Sequence, residues 1–492
     1  MQAVEAACFR IFNASSPAEH SDAQSFLDSN VPTVESSSPD RAVEASLALL
    51  NQSTQVHTLM FALLRLQEIV TGHWSSLSPA FKAQLRSNAL GALASPDVSY
   101  AVSSGLAQLL CIIAKTSWLD DPEAADLLPD INQLLSSDPT RQLRGLQLMA
   151  LLVTEMNLPR SNLALLSRHR KIAVSFRDSA LFPMFSTALA FLRSLLEEKS
   201  GSLPSDQSTK LQECTLVVLR NCLGFDFIGT IPDDSSDDIG TIQIPSSWKS
   251  LICEFSTIKL FFDGFKSCES EIASNYMECL GLIVSTRRSI FSNDTDRGKF
   301  LAWILEATTD ILSSPQQLCS TPETILEFSR LLNRLKSVNQ LAELIEKDRY
   351  DSWVELVLGF TLKLFETSLA NPDTNLSGGT PVLYLLTFWS KMSLSVSSNT
   401  SSRPKAHDRL EEISGILSST FIQSRVTACR SPNGVADEDI PFALGDADQE
   451  NEWISCVELI ASISRLAYVS TCSLVGQVFD SLATGYQERA VA

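Results

Sequence analysis

An all-α chain folded as a right-handed α-solenoid, a stack of helical hairpins, is what the sequence predicts, on three observations. Apolar residues recur at i, i+3, i+4 and i+7 along nearly the whole chain, the spacing that puts them on one face of a helix. Alternating apolar and polar runs, the mark of half-buried strands, are nearly absent. Prolines that suit a first helical turn repeat at a fixed interval: Pro79 and Pro122 lie 43 positions apart, and so do Pro96 and Pro139.

In order along the chain, the first clear helix is 55–71. Its apolar set (Val56, Leu59, Met60, Leu63, Leu64, Leu66, Ile69, Val70) covers more than half the circumference, so the helix needs neighbours on two sides. Helices follow at 79–94, 97–118, 122–136 and 140–157. Pro79, Pro96, Pro122 and Pro139 come directly after Ser78, Ser95, Asp121 and Asp138, side chains able to accept from the unpaired N–H groups of a first turn. Two helices per ~40–47 residues is the period of HEAT and armadillo arrays, in which no hairpin buries its own face and each stacks on the next. The inner helices of such an array line a surface suited to a large partner, so binding is the expected function.

The longer breaks fall at 198–209, 230–248 and 393–407. The segment 431–452 carries seven acidic residues and no Lys or Arg, a composition that keeps a linker solvated and extended. The expected organisation is therefore hairpins over 1–157, further hairpins over 158–430 with an acidic loop at 230–248, an acidic linker at 431–452, and at 453–492 the start of another repeat where the array is cut short.

Lys plus Arg is 38 against 57 Asp plus Glu, a net charge of −19, which argues against holding nucleic acid by phosphate neutralisation. The eleven cysteines include no Cys-x-x-Cys pair, as expected of free thiols in a reducing compartment. The N-terminus carries Glu5 where a secretory signal would be basic. The most apolar stretches fall short of the ~20 residues a membrane span needs, so neither secretion nor a membrane is expected.

Tests for chemistry are negative. Asp446, Asp448 and Glu450 fit the first positions of a calcium loop, but Asn451 stands where Gly is needed and Val457 where a bidentate Glu is needed. The five histidines show no i, i+3 or i, i+4 pair for zinc. Phosphate-cradling glycine loops and a G-x-S-x-G elbow are missing. No catalytic, metal or cofactor-binding residue is assigned, and no enzyme is expected.

Two basic groups are candidates for partner contact: Arg168, His169, Arg170, Lys171 and Arg177, and the pair Arg287 and Arg288 at the end of an apolar helix, 275–286. They either pair with acids of adjacent repeats and complement a helix C-terminus, or they meet an acidic partner surface. Phe225, Phe227 and Ile228, with Trp248 beyond the acidic loop and a short β-like run at 241–245, read as anchors of that loop onto the stack or as partner contacts.

The stretches RHRKIAVSFRDSALF (168–182) and NCLGFDFIGTIPDDSSDDIGTIQIPSSW (221–248) resemble the exportin-7 branch of the importin-β-like nuclear transport receptors (karyopherins). Similarity continues through STRRSIFSNDTDRGK (285–299), EFSRLLNRLKSVNQLAE (327–343) with its Arg-Leu-Lys-Ser core, and VFDSLATGYQE (478–488). The resemblance implies a superhelix of HEAT repeats that binds Ran-GTP and protein cargo cooperatively and passes Phe-Gly nucleoporins. It would shuttle between nucleus and cytoplasm through the nuclear pore. This chain corresponds to an N-terminal half, and the resemblance places the Ran-binding region within 42–157. Coupling of about 1–3 kcal/mol between two ligands that favour the same curvature suffices for loading and release.

Overall fold

Among the described residues proline opens five helices at their first position, and its fixed φ suits a turn whose N–H would be unpaired anyway. These are α2 (Pro17–Asn30), α3 (Pro39–Gln52), α5 (Pro79–Ala94), α8 (Pro139–Asn157) and α15 (Pro322–Val338). Side chains complete four of these caps, all but that of α5. Ser16 accepts from the Glu19 N–H, Ser38 from Arg41, Asp138 from Thr140 and Arg141, and Thr321 from Thr324. This is a computed structural model that describes residues 1–121, 125–159, 166–197, 204–227, 241–339, 341–370 and 380–394, with residues 461, 473, 476, 477 and 480. The acidic linker 431–452, the acidic run 233–238, Ile228 and Pro122 lie outside the described residues.

The chain divides into two compact units, Met1–Ser236 and Asp237–Ala492. In the first, hairpins form from α1 (Gln2–Asn13) with α2, α3 with α4 (Val56–His73), α5 with α6 (Tyr100–Ser117), α7 (Leu128–Leu135) with α8, and α10 (Phe182–Glu197) with α11 (Ser205–Leu223). The second helices α4, α6, α8 and α11 pack side by side in one layer. Openings at Val56, Tyr100 and Pro139 recur about 40 residues apart, the HEAT-like period.

That layer is tied by polar groups as well as by Leu, Ile and Val. Gln67 donates to the Gly105 carbonyl (3.1 Å), Gln108 to the Glu155 carboxylate (3.1 Å), and Asn221 to the Ala150 carbonyl (3.2 Å) and the Thr154 hydroxyl (3.0 Å). Lys115, 7% exposed, forms an ion pair with Glu155 and donates to the Glu155 and Leu158 carbonyls at the end of α8.

The 97–118 helix begins later than the sequence predicts, at Tyr100, because Pro96 and Asp97 form a turn instead. The buried Arg144 of α8 donates to four carbonyls around that turn, those of Leu93, Ser95, Pro96 and Val98. A guanidinium with five donors thus does in space what a continuous helix would have done along the chain.

Helix α9 (Leu166–Phe176) runs through one π-turn, Arg177–Leu181, into α10. This run is long and apolar enough to cross a membrane by length and composition. Its apolar side chains, among them Phe176, Leu181, Phe185 and Leu192, are buried in the first unit.

In the second unit, α12 (Phe255–Ser267), α14 (Asp294–Ser313) and α16 (Lys347–Ala370) make one layer. Helices α13 (Ala273–Val284), α15 and α17 (Thr380–Leu394) make the other. Within the first of these layers the indole N–H of Trp353 donates to Thr308 (3.0 Å), and between the two layers that of Trp389 donates to Thr361 (3.1 Å), so each large buried ring keeps its polar edge satisfied. Gly264 on α12 admits the Tyr276 ring of α13, since a Cβ there would come within 2.4 Å of the ring. The architecture is all-α and built of HEAT-like hairpins. Among the described residues the only β-type pairing is an isolated parallel bridge between Ile242 and Thr286.

Candidate functional site: the basic groups and the anchored loop

Helix α9 presents Arg168, Arg170 and Lys171 to solvent, with His169 half-buried. Arg168 pairs with Asp120 (2.6 Å) and donates to the Thr116 carbonyl (3.2 Å), both exposed contacts at the end of α6. Arg170 and Lys171 take no partner among the described residues. Nδ1 of His169 is buried without a hydrogen-bond partner, and burial, then the Lys115 charge, lowers its pKa.

Arg177 lies in the π-turn, where its guanidinium donates to the Asp178 carboxylate (2.8 Å) and to the Phe227 carbonyl (2.8 Å). The end of α11 is thereby fastened to α9. Phe225 (3% exposed) stacks near Phe176 (5.8 Å), Phe176 near Trp118 (5.3 Å), and Phe227 near Phe225 (6.2 Å). Asn157 accepts from the Asp226 N–H at 2.8 Å. The structure thus brings Arg177, Phe225 and Phe227 together and leaves Arg170 and Lys171 apart from them on the open face of α9.

In the second unit the segment after α13 turns on its own hydrogen bonds. The Ile242 N–H donates to the Ser285 carbonyl (2.9 Å) and the Arg287 N–H to the Ile242 carbonyl (3.0 Å), so 241–243 crosses the end of α13 as a single β-like rung. Trp248, 2% exposed, closes this segment in a 3-10 turn. Arg287 donates to the Gln243 amide oxygen at 3.0 Å, a neutral partner. Nη2 of Arg288 donates to both carboxylate oxygens of Asp294 (2.8 and 2.9 Å). Arg287, Arg288, Phe291, Ser292, Asn293 and Asp294 line an open cleft of about 450 Å³. Among the described residues Arg288 is balanced by Asp294 and Arg287 faces only an amide, which leaves Arg287 the positive charge in the cleft suited to receive a carboxylate.

Sequence reasoning missed the polar tie across α4, α6, α8 and α11, and it missed Arg144. Each joins residues some 40–70 positions apart with no local pattern to mark the pairing. Among the described residues, no group of three or more His, Cys, Asp or Glu is gathered to hold a metal.

Comparison with known proteins adds to this geometry. The importin-β N-terminal domain matches residues 35–95, which is the stretch from the approach to α3 through α5. The chain is 31% identical over 478 residues to Exportin-7-B of Xenopus laevis, covering 96% of this chain and 42% of that protein. It is 32% identical over 498 residues to Ran-binding protein 16 of Drosophila melanogaster (99% and 42%), and 30% over 445 residues to human Ran-binding protein 17 (89% and 39%). It therefore spans about two-fifths of the length of these relatives. A solved engineered protein overlaps at a TM-score of 0.40 and 14% identity, too loose a likeness to carry an argument. The chain thus carries an importin-β N-terminal domain inside a HEAT-like stack and, along nearly its whole length, is similar to the exportin-7 branch of the importin-β-like nuclear transport receptors.

Proposed function

We propose that the chain is the part of a nuclear export receptor that engages Ran in its GTP form, and that it loads protein cargo cooperatively with it. The observation that carries this reading is the importin-β N-terminal domain at 35–95, seated on the helices whose layer α4–α6–α8 continues to Asn157. The second helices of the hairpins within 42–157 are the surface for the GTPase. Phe-Gly nucleoporins are contacted during passage, and the receptor shuttles between nucleus and cytoplasm. Each hairpin touches its neighbours in the layer, so a ligand that favours one curvature favours it for the next ligand too, with no catalytic residue required. Arg170 and Lys171 on α9 and Arg287 at the second-unit cleft are the basic contacts with charge to spare. Arg168, Arg177 and Arg288 already hold Asp120, Asp178 and Asp294.

Retention of Ran by the immobilised chain, compared between a non-hydrolysable GTP analogue and GDP, tests the reading. Strong preference for the GTP form is expected. Equal retention of both forms would make the chain a HEAT-like scaffold independent of the GTPase cycle.

A further inference from the structure

The Arg-Leu-Lys-Ser core of α15 contains a cation that nothing described above uses. Arg334 is only 7% exposed. Its guanidinium has five N–H donors, yet it makes no hydrogen bond or ion pair with any described residue. None of its nitrogens is fully sealed without a partner, so the mostly buried side chain keeps some contact with water at its tip. It lies against Gly281 of α13, where a Cβ would stand 3.3 Å from Nη1, and so rests on a helix that presents no side chain there.

The surrounding charges leave this cation short of a partner. Arg330, one turn earlier, is committed to Glu327 (2.7 Å) and to the Tyr384 ring of α17 (5.2 Å). Among the described residues Lys391 of α17 donates to the neutral oxygens of Asn333 (3.3 Å) and Ser337 (2.7 Å), which flank Arg334 on α15. Arg330 is the cation, and Glu327 and Glu278 the carboxylates, whose charges reach Arg334, which bonds neither carboxylate. Burial, then repulsion from Arg330, lowers the pKa of Arg334, while burial first of all raises that of Glu327. A buried cation without a counter-charge costs more than a paired one, so the cluster gains from a further anion.

We propose that Arg334, backed by Arg330 and Lys391, seats a carboxylate carried on an acidic segment of a protein partner laid across α13, α15 and α17. A carboxylate suits the planar guanidinium of Arg334, whose donors are not taken up by Glu327 or Glu278 and can receive it bidentately. Glu278 and Glu327 disfavour a phosphate group of nearly twice that charge. The site does not depend on the reading of the chain as a Ran receptor, and its test contains no GTPase.

The probe is a fluorescein-labelled hexaglutamate peptide, titrated by anisotropy against the whole chain and against Arg334→Gln and Arg334→Lys variants, with melting temperatures measured alongside. Arg334→Gln is expected to weaken the peptide about tenfold and to flatten the salt dependence, with Arg334→Lys in between. The melting temperature of Arg334→Gln is expected to hold or rise, since an unpartnered charge is removed. Equal peptide affinity of wild type and Arg334→Gln would overturn the proposal. So would a clear fall in its melting temperature, which would make Arg334 a structural group. A rise of the wild-type melting temperature in inorganic phosphate at matched ionic strength, without peptide binding, would overturn the protein occupant.

Discussion

Arg144→Met is the substitution from which the stack has most to lose outside its apolar core. The methionine fills the channel of the arginine stem but donates nothing, so the carbonyls of Leu93, Ser95, Pro96 and Val98 lose their common partner. Arg144 is 5% exposed, and hydrogen bonds to a charged group contribute about 1.5–3 kcal/mol each. The turn lies near the surface and water can replace part of this. Allowing about 1 kcal/mol per carbonyl gives a cost of about 4 kcal/mol. With a urea slope of about 3 kcal/mol/M, the transition of the first unit should move down by roughly 1 M. Equilibrium urea unfolding followed by hydrogen exchange reads this out, with loss of protection concentrated at the end of α5 and the start of α6. A cost under about 1 kcal/mol, or loss of protection spread evenly over the chain, would refute the idea that one guanidinium holds the α5–α6 turn.

Gly264→Ala gains about 1 kcal/mol of helix propensity but drives a Cβ into the fully buried Tyr276 ring, and overpacking of ~1–3 kcal/mol should win; a melting temperature at or above wild type would contradict this. Arg168→Ala breaks a pair whose side chains are 43% and 64% exposed, and should change stability by less than about 1 kcal/mol in urea unfolding. His169 has a folded pKa below its unfolded value, through burial and then Lys115, with Glu155, Asp226 and the Asn157 carbonyl pulling the other way. The unfolded chain therefore binds the proton first, and the His169 contribution, present above pH ~6.5, is lost as pH falls below it. A His169→Gln variant should show a shallower loss of stability between pH 7 and 5.5 than wild type, and identical pH profiles would exclude this role.

Much of the fold was legible because helix signals are local. The predicted spans 55–71, 79–94 and 140–157 correspond to Val56–His73, Pro79–Ala94 and Pro139–Asn157, where the apolar period is joined at Pro79 and Pro139 by an N-terminal proline and at Asp138 by a capping side chain. Pro96 carries the same local signal and opens no helix, because Arg144, far along the chain, stabilises a turn there. The basic groups were visible as composition, but which of their charges is spent was not. Arg288 and Asp294 are six positions apart, Arg168 and Asp120 are 48, and only folding shows both as closed pairs and Arg287 as open. The Arg-Leu-Lys-Ser core stood out as a likeness of sequence. Its buried and unpartnered cation depends on the glycine of another helix.

Hydrogen-exchange footprinting of the chain with GTP-loaded Ran tests the central claim most directly. The account predicts slowed exchange on α4, α6 and α8, the second helices within 42–157, with α3, α5 and α7 little changed and no footprint from GDP-loaded Ran. Protection confined to the first helices, or the same footprint with either nucleotide, would contradict it.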